Sequence, residues 1–285
     1  MLAAYGALLS LTLVWGLTFP LVQLSLKDAS PTLFLSLRFA VATVTLFVIF
    51  GKRVIPTSRH DLWKGLAIGF FLWGGYLGQT LGLQFTSASR SGFLTGTLVP
   101  LTPFFAFLLF GERFSLRLWT AVLIAFSGIF IMSRPSLGGL NLGDGLTLAC
   151  AASFALQVVF INRWVRADNL LPLAWLQLAL SAVLSACAMP LETVHFNFSY
   201  RLAGTLLITA TLASALGIWA QVKYQPRLPA AATAVIYAME PVFAGLAAWL
   251  MLSERPPAPT LIGASLILCG MILSSIKMEP KRNNS

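Results

Sequence analysis

Glu240 stands inside a long apolar stretch, 232–255, and Pro241 follows it at once. A carboxylate at membrane depth is expensive unless something satisfies it, and proline removes a backbone donor from the helix it enters. Two kinds of chemistry are open to such a residue. It can exchange a proton with water or contact a substrate amine. Alternatively, it can hydrogen-bond the carbonyl that Pro241 frees. Arg38 is the other charged residue set deep in an apolar segment. At a rise of ~1.5 Å per residue it lies ~10 Å from its helix end and Glu240 ~18 Å from the same side. The sequence reading therefore has Arg38 snorkelling outward rather than pairing with the glutamate.

Three intramembrane amides, Gln79, Gln157 and Gln221, join this set. Helical spacing puts Gly75, Tyr76, Gln79, Gly82 and Leu83 on one face, Gly217, Gln221 and Tyr224 on another, Ser153 with Gln157, and Thr233, Tyr237, Glu240 and Ala244 together. These faces are cavity walls or sites of interhelical hydrogen bonding, the latter worth under ~1–2 kcal/mol per bond. Among Trp15, Trp73, Trp175 and Trp219, Trp15 is mid-span and is the cavity candidate, whereas the others fit an aromatic belt. Pro100, Pro103 and Pro241 interrupt two apolar segments as kinks or hinges. Small-residue patterns, Gly65–Gly69, Gly74–Gly78–Gly82 and Gly92–Gly96, point to close helix packing.

Other chemistry is excluded. His60 and His195 are the only histidines, both in loops, so no intramembrane base serves a nucleophile. Cys150, Cys187 and Cys269 lie in apolar runs without metal spacing, so neither metal nor disulfide is expected. No phosphate-binding loop is present. An enzyme and a cofactor are therefore not expected.

The elements that must position these residues follow from composition. Of 285 residues 58% are hydrophobic and 10% charged, against about 25% charged in soluble domains. The chain reads as an all-α integral membrane protein. The charge of +10 is scattered over short loops, which argues against nucleic acid and for a cytoplasmic bias. Ten apolar runs are long enough to span ~30 Å: 3–23, 31–51, 62–83, 89–110, 116–133, 143–163, 170–189, 202–222, 229–252 and 258–276. The first run lacks a basic leader and a cleavage site and reads as a retained span. Thirteen Lys and Arg fall on one side, five on the other, and Arg38 within a span. This places both termini in the cytoplasm.

Shifted by 142 residues, the chain meets itself. Gly75 falls on Gly217, Gln79 on Gln221, Ala88 on Ala230, Ala106 on Ala248, Leu108 on Leu250, Glu112 on Glu254, Arg113 on Arg255 and Gly128 on Gly270. A unit of five spans repeats upside down, so residues 1–140 and 141–285 form two inverted halves around a central cavity. Thr97 and Leu98 stand opposite Met239 and Glu240, so the glutamate has no twin.

The ordered set "LVWGLTFPLV", "SPTLFLSLRF", "FTSASRSGFL" and "MEPVFAGLAAWLMLSER" resembles an EamA-type exporter of the drug/metabolite transporter superfamily. The resemblance implies a basket-like bundle with spans 1, 3, 4, 6, 8 and 9 around the cavity. It also implies export of amino acids, other metabolites or lipophilic cations. Since the glutamate–proline pair looks common to members with unlike substrates, Glu240 is read first as mending the Pro241 gap. The expected activity is alternating-access export of small amphipathic metabolites, amino acids foremost. A lipid or lipid-linked-sugar flippase and a multidrug exporter are the alternatives. The expected partners are a small-molecule substrate and the bilayer of a cell inner membrane; a monomer is compatible with this design.

Overall fold

A computed structural model describes residues 1–82, 84–86, 88–133, 141–252 and 257–276. Leu83, Arg134, Glu254, Arg255, Lys277, Lys281 and Arg282 lie outside the described residues, and so does the side chain of Arg90.

The described chain is almost wholly helical. The helices are α1 (Leu2–Ser25), α2 (Pro31–Phe50), α3 (Arg59–Gly82), α4 (Ala88–Gly96), α5 (Leu98–Phe110), α6 (Leu116–Ser133) and α7 (Leu142–Trp164). After these come α8 (Leu170–Ala188), α9 (Tyr200–Ile208), α10 (Gly217–Tyr224), α11 (Ala230–Tyr237), α12 (Glu240–Leu252) and α13 (Ala258–Ser275). Helices suit such a sequence because a lipid-facing backbone must satisfy its own polar groups. Six stretches are long and apolar enough to cross a membrane: Pro31–Val54, Ser91–Phe110, Leu142–Trp164, Leu170–Leu191, Tyr200–Arg227 and Ala258–Ser275. Leu2–Thr18, Leu116–Met132 and Ala230–Leu246 are shorter apolar helices. α3 is long, but Arg59, His60, Asp61 and Lys64 make its first turns polar.

Local chemistry sets the ends. Pro31 opens α2 after an extended Ser30, where a missing N–H costs nothing. Gly111 closes α5 in the left-handed conformation. Asn141 and Asp144 form a reciprocal capping box at the start of α7, and the Ser199 hydroxyl caps α9.

Two apolar segments that read as single spans are broken. The first stops at Thr97 between α4 and α5; the second turns at Ala238–Met239 between α11 and α12. Each break lies just ahead of a proline, Pro100 or Pro241, whose ring clashes with the carbonyl four residues back. A third segment is wound differently: Thr209–Leu216 is a π-helix joining α9 to α10. No proline or glycine marks it in the sequence.

α6 runs along α13, α3 along α7 and α8, and α2 along α8 and the π segment, while α1 packs on α10 and α12. Glycines let these backbones touch. A Cβ on Gly128 would lie 2.6 Å from the Gly263 carbonyl, and one on Gly270 would lie 2.8 Å from the Ala121 carbonyl. Gly65, Gly69, Gly78 and Gly82 likewise abut α7 or α8. Gly92 departs from the expected pattern: nothing stands within 4 Å of its Cβ position.

The α1–α2 turn is bound to the segment before α9. Asp28 accepts hydrogen bonds from Ser199 Oγ at 2.6 Å and from Arg201 Nη2 at 2.9 Å. Its carbonyl accepts from Asn197 N–H at 2.7 Å, and Ser30 N–H donates to the His195 carbonyl at 3.0 Å. Ser199 first, then Arg201, holds the Asp28 carboxyl below its ordinary range.

Two expected outcomes follow from this packing. Gly263→Ala gains about 1 kcal/mol of helix propensity but drives its Cβ into the Gly128 carbonyl and the Met132 side chain. Overpacking costs about 1–3 kcal/mol, so the melting temperature of the solubilised protein falls; an unchanged or higher value shows that α6 and α13 can part without loss. Asp28→Asn should lower the melting temperature at neutral pH. A depressed folded pKa gives stability that is present above the unfolded value of ~3.9 and is lost as pH falls through the folded value. The gap between wild type and variant therefore narrows in acid, which melts at pH 7 and pH 3 would check.

Candidate functional site

The helices enclose two adjoining cavities. Counting their open mouths, the cavities hold about 990 Å³ and about 860 Å³, and only by that measure is the first the larger; it runs from Leu26 at the end of α1 to Val158 and Tyr237. The smaller lies between α4, α6 and α12 and is walled by apolar groups such as Val99, Ile129, Met132 and Ala244. Gln79, Thr95, Leu98, Tyr237 and Glu240 line both and so form a waist between them. Four of the five flank the two helix breaks, which explains their position: the broken segments turn their ends toward the cavity. Every proposed cavity residue, Trp15, Tyr76, Gln79, Gln157, Gln221, Tyr237 and Glu240, lies on the wall of the larger cavity. Of the prolines, Pro241 lines the smaller cavity, whereas Pro100 and Pro103 lie within α5 and line neither.

The amides divide into two roles. Gln157 and Gln221 are 2% and 1% exposed and bond to each other at 3.3 Å. Gln157 also donates to Gln177 at 3.0 Å, and Gln221 donates to Gln225 at 3.1 Å. Gln225 in turn donates to Asn162 Oδ1 and accepts from the Tyr237 hydroxyl. A buried chain of amides thus ties α7, α8, α10 and α11 together across one end of the larger cavity. Gln79 is separate from this chain, although the repeat pairs it with Gln221. It stands at the waist and belongs to both cavities.

The expectations for Arg38 and Glu240 are corrected. Arg38 does not snorkel outward; it is 4% exposed and lines the larger cavity. Its Nε donates to Ser214 Oγ at 2.8 Å, and its guanidinium lies 4.8 Å from the Tyr76 ring centre. The cause is the π-helix, which carries Ser214 toward α2, and an aromatic face that stabilises a desolvated guanidinium. Spans 1, 3, 4, 6, 8 and 9 are therefore joined at the cavity by α2. Glu240 does not mend the proline gap: among the described residues its side chain makes no hydrogen bond to the Tyr237 carbonyl or to any other group. It opens α12 and lines the waist. Gly16 allows this, since its Cβ position would lie 2.8 Å from the Glu240 carbonyl.

Aromatic groups fix the remaining wall. Trp15 Nε1 donates to the Ala213 carbonyl at 2.9 Å in the π segment, and its ring meets Tyr237 edge-on at 5.3 Å. Tyr76 is held edge-on between Phe39 and Phe154. Trp175 donates to Thr43 and Trp219 stacks on Phe50, both away from the cavities, as expected. The sequence reading missed Gln177, Gln225, Asn162 and Ser214. Gln225 was within reach, because Gln221 and Gln225 are four apart on one helix face. Among the described residues no group of His, Cys, Asp or Glu can hold a metal.

The same fold is found elsewhere. A solved crystal structure with 18% identity superimposes at a TM-score of 0.81 over 96% of this chain and 98% of its own. An uncharacterized transporter of Archaeoglobus fulgidus is 34% identical over 93% of this chain and 83% of its own length. An S-adenosylmethionine uptake transporter of Rickettsia bellii is 23% identical over 81% and 79%. The EamA-like transporter family matches residues 2–134 and again residues 141–276. Those two matches take in nearly all of the described chain, and this integral membrane protein, a transporter and not an enzyme, belongs to the EamA-like transporter family.

Proposed function

We propose that the chain is a secondary transporter that exports small amphipathic metabolites, amino acids foremost, by alternating access between two inverted five-helix halves. The observation that carries the substrate reading is the larger cavity, where apolar and aromatic groups such as Leu35, Leu72, Phe154 and Ile218 share the wall with polar groups at the waist, at Arg38 and at the amide end. Such a wall suits a ligand with one hydrophobic part and one polar head.

Symmetry supports the two-half design. Exchanging the halves by the 142-residue shift turns the Gly128–Gly263 contact into Gly270–Ala121, and both contacts occur. The packing of α3 on α7 has its counterpart in α1 on α10, and that of α3 on α8 in α2 on the π segment. Residues 1–140 and 141–285 are then the two rocking units, and each contributes one broken span to the waist, with Pro100, Pro103 and Pro241 as hinge positions. The thirteen-to-five charge balance supports cytoplasmic termini, and an inner membrane is part of the same reading. In that frame the cavity faces outward, and the amide chain with Tyr237 and Asn162 is the closed cytoplasmic gate.

The test is counterflow in proteoliposomes with labelled amino acids, S-adenosylmethionine and a lipophilic cation. Amino-acid counterflow is the expected result; lipid scrambling without it overturns the reading. Single cysteines in the 52–64 loop should label only from the cytoplasm and one at Arg201 only from outside, and the reverse pattern would invert the orientation. The two symmetric amides should behave differently. Gln79→Leu should change which substrates are carried with little shift in melting temperature. Gln221→Leu leaves buried amides of Gln157 and Gln225 short of partners at a cost of about 1–3 kcal/mol, so it should lower the melting temperature and loosen the gate. Equal effects of the two substitutions on stability would refute this division.

A further inference from the structure

Arg38 and Glu240 are the two charged side chains on the wall of the larger cavity among the described residues. They come from different halves, α2 and α12, and no ion pair joins them. Each retains bonding capacity. A guanidinium has five N–H donors; Arg38 uses Nε on Ser214 and one Nη2 hydrogen in a long 3.4 Å contact with the Tyr76 hydroxyl. Three donors remain. The Glu240 carboxylate has its acceptor sites open at the waist. The Arg38 charge acts on Glu240 across the cavity without a close ion pair, so the cavity presents one positive and one negative position with hydrogen-bonding capacity left between them, backed by aromatic walls.

We propose that these two residues recognise a zwitterion, with Arg38 taking the carboxylate and Glu240 taking the ammonium. The inference rests on the amino-acid reading above and deepens it. A cation alone leaves Arg38 unmatched and repels it; an anion alone does the same at Glu240. A molecule bearing both groups on one carbon satisfies each, since guanidinium and carboxylate meet through paired hydrogen bonds. An apolar side chain on the same carbon reaches past the waist to Val99, Ile129 and Met132. The pair therefore selects against lipophilic cations, which the apolar wall alone would admit. Because one member sits on each half, a bound zwitterion also bridges the two units.

The test is competition against labelled-leucine counterflow by phenylalanine, phenylalaninamide and N-acetylphenylalanine. The amide lacks the carboxylate; the acetyl compound lacks the ammonium. Wild type should take phenylalanine at least ~10-fold more tightly than either, as expected where a site is left with an unpaired group. Arg38→Gln should lose the preference over the amide and keep that over the acetyl compound. Glu240→Gln should show the opposite. Arg38→Lys and Glu240→Asp, which keep charge, should restore part of each preference, and they carry the test if the neutral variants do not reconstitute. Wild type that accepts the amide as well as phenylalanine overturns the clamp while leaving amino-acid transport standing. So does a uniform loss for all three compounds in a folded variant. Absence of leucine counterflow in wild type instead overturns the amino-acid reading on which the clamp rests.

Discussion

Backbone hydrogen bonding in a medium without water governs this molecule. A helix that crosses lipid satisfies its own N–H and C=O groups; one that breaks must do so where protein or a wet cavity receives the freed ends. The breaks at Thr97 and at Ala238–Met239 occur beside one another, at the waist between the two cavities. The cavity thus exists where irregular backbone is tolerated, and the polar side chains that cluster there share its wet environment. The prolines choose where along each segment the ladder fails, and the fold chooses which side receives the consequence.

The π-helix at Thr209–Leu216 is a third irregularity with the same effect. Widening the turn exposes carbonyls, and Trp15 takes the one at Ala213. It also swings Ser214 toward Arg38. One local change of winding therefore anchors an aromatic wall on α1 and a cation on α2. Without it, the guanidinium on α2 would keep only its ring contact and the long 3.4 Å contact with Tyr76, and snorkelling would compete with that position.

Much of this was legible in the sequence, and the failures have causes. Apolar run length gave the helices because lipid thickness fixes a minimum length for a span. The cavity residues were found because polar side chains are rare in such segments, so their helical spacing stands out. Gln79 and Gln221 fall on one another under the 142-residue shift, yet their surroundings differ: a sequence shift speaks of position along a helix, whereas burial depends on neighbours. Gln157 and Gln225 bond to Gln221 directly, and Gln177 and Asn162 extend the chain from them; among the described residues no such chain is seen at Gln79. Arg38 was misread because its partner depends on a π turn that neither proline nor glycine announces. Glu240 was read through the proline beside it, which offered a local explanation, but among the described residues its carboxyl makes no hydrogen bond to the Tyr237 carbonyl and lies on the cavity wall.

The two kinds of contact between helices have opposite mechanical meaning. Where glycines bring backbones together, as at Gly128 and Gly263, the surfaces are smooth and dispersion holds them; helices can rotate slightly without leaving a polar group unpaired. Where amides bond across helices, from Gln177 to Gln157, Gln221, Gln225 and Asn162, any separation strands several buried polar atoms at once. A chain of this kind resists small displacements and yields only when water can enter to replace the lost bonds. Parting of the chain therefore goes with wetting of its own end and not with access at the far mouth, a condition that follows from hydrogen-bond satisfaction itself; the glycine seams, which strand no polar group when they shift, set no such condition.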